Sequence, residues 1–60
     1  MDIGQVRIQI FELALRQIRE DDHRSAARGI RRLLMLLPPE HFARADLLRV
    51  LAWTEAKGRP

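Results

Sequence analysis

Sixty residues with a formal net charge of +3 make at most one domain, and a chain this short buries only about 60% of its unfolded surface, so its folded state is marginal without help. There is no Cys, which removes disulfides and thiolate metal sites, fits a reducing compartment, and leaves oligomerisation as the common remaining route to stability. No apolar run approaches the roughly 20 residues of a membrane span, and the start Met1, Asp2, Ile3, Gly4, Gln5 lacks the basic region and apolar core of a secretion signal; the expectation is a cytoplasmic chain without a membrane partner.

The first helix is expected over residues 3–20. It has no Pro, its body is built of strong helix formers such as Leu13, Ala14, Leu15, Arg16 and Gln17, and Asp2 can cap it by accepting from the orphan amides of the first turn. Its apolar residues, from Ile3 and Val6 through Ile8, Ile10, Phe11, Leu13, Ala14 and Leu15 to Ile18, cover about 220° of the helical wheel, twice the stripe of an ordinary surface helix. One neighbouring helix cannot cover so wide an arc. A second partner is required.

The second helix, expected over 22–37, follows Asp21 and Asp22, either of which can cap it. At about 100° per residue it sorts Ala26, Ile30, Leu33, Leu34 and Leu37 to one side and Arg24, Arg28, Arg31 and Arg32 to the other. Ala26, Ala27 and Gly29 are small enough for close backbone approach, and Gly29, which costs a helix about 1 kcal/mol relative to Ala, points to a packing role. Glu20 and Asp21 stand close enough in sequence to pair with Arg24. Pro38 and Pro39 stop the helix.

A third helix is expected over 39–57, with Pro39 as its first residue and Gly58 in the left-handed closing position. Phe42, Ala43, Leu47, Val50, Leu51 and Trp53 form its main face, and Phe42 and Trp53 fall within about 20° of each other, with Asp46 and Arg49 on the same strip. Aromatic residues beside Arg are typical of interface hot spots.

The spacing across these segments resembles the tetratricopeptide repeat, whose helix–turn–helix unit carries W-x2-L-G-x2-Y, then A-x3-F and a closing Pro. Ile10, Leu13, Ala14 and Gln17 occupy the first set of positions, Ala26 and Ile30 the second, and Pro38 the last, with every interval matched. Ile10, Ala14 and Ile30 are conservative replacements, whereas Gln17 departs from the aromatic residue. Leu47, Val50, Leu51, Thr54 and Gly58 look like the first half of a following unit after a loop about three residues too long. The resemblance covers nearly the whole chain, about one and a half units, and implies protein or peptide binding without catalysis. It also implies missing neighbours, since such units bury their faces on one another and about three are needed for stability.

The charge surplus sits on the second helix. Residues 1–20 balance, residues 21–36 set Asp21 and Asp22 against Arg24, Arg28, Arg31 and Arg32, and residues 37–60 set Glu40, Asp46 and Glu55 against Arg44, Arg49, Lys57 and Arg59. An arginine stripe two turns long suits an acidic protein surface or phosphates, and it also suits simple solvation. Chemistry is absent from the pattern. His23 and His41, the two histidines, lack further ligands at any metal-binding spacing, Ser25 is the single Ser, and no Gly-rich phosphate loop exists.

The expectation is therefore an all-α chain of three helices, an antiparallel hairpin plus one, self-associating through Val6, Ile10, Phe11, Leu47 and Val50. It needs no cofactor and no metal, and it is no enzyme. Its role would be that of a protein-interaction module, an adaptor, chaperone-like subunit or inhibitory regulator that contacts a larger protein through Arg24, Arg28, Arg31, Arg32, Phe42, Arg49 and Trp53. The alternative is a basic helical dimer that binds nucleic acid as a transcriptional regulator, a reading that steep salt dependence would favour.

Overall fold

Residues 2–59 are described in the structure, a computed structural model, and they form three helices: α1 over Ile3–Arg19, α2 over His23–Leu36 and α3 over Arg44–Lys57. The fold is all-α. Asp2 caps α1 by accepting from the Gly4 amide at 3.0 Å, and Asp22 caps α2 by accepting from the Ser25 amide at 3.3 Å. Between the two helices the chain turns in three residues, Glu20, Asp21 and Asp22. The Asp22 amide donates to the Gln17 carbonyl at 2.7 Å and the Asp21 amide to that of Ile18 at 3.1 Å, a closure that puts Asp21 in the left-handed region at φ 64°. Asp is one of the few residues besides Gly that accepts this geometry. Asp21 then meets His23 at 3.4 Å instead of Arg24, so the ion pair expected with Arg24 is absent among the described residues.

The core belongs to α2. Ala26, Ala27, Ile30, Leu33 and Leu34 are buried on it, Leu37 is buried just past its end, and α1 adds Ala14 while α3 adds Leu47 and Thr54. The residues sorted inward by the helical period are thus the ones buried, and the arginines face water. Near the middle of the α1–α2 contact Gly29 sits by Ala14 and Ile10, and at its far end Arg7 reaches the Leu36 carbonyl. Against α3, Arg24 lies by Gly58 and Arg44 reaches the Leu34 carbonyl. In both interfaces residue numbers rise along one helix as they fall along the other. α1 and α3 pack on α2 and hardly on each other, so the molecule is flat, 35 × 22 × 13 Å.

Gly29 is not required by crowding. A Cβ there would lie 3.7 Å from the Ala14 Cβ and 3.9 Å from Ile10, ordinary contact distances. Gly29→Ala should therefore stabilise the chain by up to about 1 kcal/mol, through helix propensity alone, and raise the thermal midpoint followed by circular dichroism by roughly 4–8 °C.

The third helix departs from the sequence expectation. It begins at Arg44, five residues beyond Pro39. Pro39 does not open it because the backbone that follows is satisfied locally: the His41 amide donates to the Pro38 carbonyl at 3.0 Å, the Arg44 amide to that of His41 at 3.1 Å, and the His41 ring Nδ1 accepts from the Ala43 amide at 3.1 Å. These bonds make two consecutive turns rather than helix. Gly58 also differs, since its φ of −79° is right-handed. Its value lies in closeness, for a Cβ would meet the Thr54 carbonyl at 3.3 Å and the Arg24 stem at 3.4 Å.

Candidate interaction surfaces

α2 ends against Pro38, which leaves its last carbonyls without helical donors. The Leu37 amide donates to the Leu34 carbonyl at 3.3 Å, and two arginines from the flanking helices add donors there. Arg7 of α1 donates to the Leu36 carbonyl at 2.7 Å and Arg44 of α3 donates to the Leu34 carbonyl at 2.9 Å, placing positive charge at the negative end of the α2 dipole. The cost is visible at Arg7, whose Nε is buried without a partner among the described residues. α1 and α3 thus both meet the same end of α2, with a gap between them.

The gap so formed is an apolar groove of about 760 Å³. Ile8, Phe11 and Leu15 of α1 make one wall, Leu47 and Val50 of α3 the other, and Leu33 and Leu37 the floor. Ile8 is 55% exposed and Phe11 and Leu15 are each 41% exposed, so the broad apolar arc of α1 is left largely uncovered by this chain. The polar side chains that line the groove are those of Arg7, Glu12, His41 and Asp46.

Of the residues expected at a dimer interface, Phe11, Leu47 and Val50 come together here. Ile10 does not, because it packs against the core and borders a shallow depression on the other side of α1 with Leu13 and Gly29. Val6 is partly buried and stands outside the groove lining. Ile8 and Leu15 were the missing wall, and the signal for them was the width of the α1 arc.

The second surface is a cleft of about 500 Å³ between α2 and α3, on which Arg24, Arg28 and Arg31 project from α2 and Arg59 from beyond α3. Glu55 is the sole acid lining it, and Arg31 is paired with that carboxylate. Ala27 and Gly58 keep its walls low, while the buried Thr54 hydroxyl is already committed to the carbonyls of Val50 at 3.0 Å and Leu51 at 2.9 Å, donating to one at a time. Arg32 is separated from this set and borders the α1–α2 depression, with Arg28 on the ridge between the two. The stripe is therefore split.

Phe42 and Trp53 do not share a helix face. Phe42 precedes α3, stacks on His41 with ring centroids 4.5 Å apart, and is 89% exposed. Trp53 meets the edge of His23 at 5.4 Å, with the Lys57 ammonium 5.9 Å from its ring, and so ties the end of α3 to the start of α2. Arg49 stays on the exposed side of α3 beside Asp46 at 3.7 Å. The two histidines each have a local packing role, and no group of three or more metal-ligating side chains converges among the described residues. No helix of the described residues is long and apolar enough to cross a membrane.

No protein-family model, curated protein or solved structure matches this chain.

Proposed function

We propose that this chain is a non-enzymatic, cytoplasmic protein-interaction module, a small adaptor or inhibitory regulator that works as a homodimer and masks part of a larger protein. The observation that carries this is the groove between α1 and α3, apolar on both walls and floor, whose α1 wall of Ile8, Phe11 and Leu15 is left exposed. A second copy is its occupant. The folded chain exposes 4655 Å², whereas a compact monomer of 7.0 kDa exposes about 4000 Å² by the size scaling of globular proteins. The surplus of roughly 600 Å² approaches the 800 Å² or so that each partner buries in a standard interface. In a two-fold arrangement the ridge of Ile8, Phe11 and Leu15 that walls one groove is itself the apolar helix the other groove needs.

If pairing and folding are coupled, stability depends on concentration. Raising the protein about 100-fold, from low micromolar upward, should lift the thermal midpoint by about 10 °C. A midpoint that ignores concentration would remove the homodimer from this proposal.

A further inference from the structure

We propose that the arginine cleft between α2 and α3 is a docking site for an acidic helical segment of a partner protein, an inference that rests on the reading of the chain as an interaction module and names the chemistry of what it takes. Arg24, Arg28 and Arg31 follow one another on α2 at intervals of four and three residues, spanning about 10 Å of helix. Carboxylates spaced four and three residues apart on a second helix repeat that interval. Arg59 stands across from them at the end of α3. The lining carries four guanidinium groups against the one carboxylate of Glu55, a local charge of +3 by subtraction. Arg31 takes that carboxylate, and Arg24, Arg28 and Arg59 pair with no acid among the described residues. Guanidinium groups bind carboxylates in bidentate fashion.

The shape favours peptide over nucleic acid. Duplex DNA is read by an element that projects into its groove, whereas these cations line a concavity with an acid inside it. A single strand needs aromatic rings on which to stack its bases, and no aromatic residue lines the cleft.

The test is a fluorescein-labelled peptide of about 16 residues, long enough to hold a helix, with Glu at intervals of four and three on an Ala and Gln background. It is titrated with the intact chain at about 50 mM salt, where surface charges are weakly screened. Beside it run the same peptide with Gln replacing Glu, and labelled single-stranded and duplex oligonucleotides. The Glu peptide should bind at least about tenfold tighter than the Gln peptide, and Arg28→Glu should abolish that difference, with Arg28→Gln intermediate. Both variants should keep the helical circular dichroism spectrum, and Arg16→Gln, on an exposed part of α1, should bind as the wild type does. Equal binding of the two peptides, indifference to Arg28→Glu, or oligonucleotide affinity matching that of the Glu peptide would each overturn the proposal. Sedimentation of the same samples separates the two readings: a monomer that binds the Glu peptide refutes the homodimer and keeps the cleft, and a dimer that does not bind refutes the cleft alone.

Discussion

Ile30→Ala should leave this chain largely unfolded at 37 °C. Ile30 is one of the two largest side chains that are fully buried, at 1% exposure in the centre of α2, and truncating such a residue costs about 2–5 kcal/mol through lost transfer energy and the cavity left behind. The whole stability of a 60-residue chain is only about 3–9 kcal/mol at typical values per residue. One substitution is thus comparable with the total. Thermal melting followed at the helical band of the circular dichroism spectrum should show the transition lowered by 10 °C or more, at roughly 4–8 °C per kcal/mol. Met35→Ala is the control, since Met35 is 85% exposed on the opposite side of the same helix and its loss should stay within about 0.5 kcal/mol. Equal effects of the two would mean that the inward face of α2 has been misplaced.

Phe11→Glu should separate association from folding. Phe11 stands in the wall of the α1–α3 groove and outside the core cluster, so a Glu there meets water in the single chain and apolar side chains in the proposed dimer. Burying an unpaired carboxylate and losing an aromatic anchor at the centre of an interface costs at least 3 kcal/mol or so, which weakens pairing by about 100-fold or more. The helical signal per residue should persist at concentrations where the variant is monomeric. Leu13→Glu provides the comparison. Leu13 is as exposed as Phe11, at 44% against 41%, but it borders the far side of α1, and its replacement should leave the dimer intact. Size-exclusion chromatography with light scattering of the two variants reads this contrast directly.

How far the fold was legible varied with how local its causes are. α2 could be placed because Asp22, the 3.6-residue period and Pro38 agree with one another, and Ala26, Ile30, Leu33, Leu34 and Leu37 are all buried. α1 announced an excess of apolar surface, and the excess is there at Ile8, Phe11 and Leu15. Which arcs face each other across one gap is a tertiary matter: of the five residues expected to meet a second copy, Phe11, Leu47 and Val50 line the groove, while Val6 and Ile10 stand outside its lining. The start of α3 was misplaced because a Pro at the first helical position is a sound local rule, and the competing bond from the Ala43 amide to the His41 ring cannot be inferred from propensity. Arg7 and Arg44 show a further limit. Nothing in their spacing marks either as a cap, and only the assembled helices reveal that each reaches a carbonyl at the end of α2. The resemblance to tetratricopeptide units locates Ala14, Ala26 and Ile30 at buried positions, which any well-packed pair of helices would also do.

Sedimentation equilibrium of the unmodified chain at micromolar concentration is the most direct measurement of the central claim, that α1 and α3 carry more apolar surface than this chain covers by itself. A particle of about 14 kDa is expected, twice the chain mass of 7.0 kDa, dissociating on dilution. A stably folded particle of 7.0 kDa at every concentration would contradict it, and the proposed homodimer would have to be abandoned.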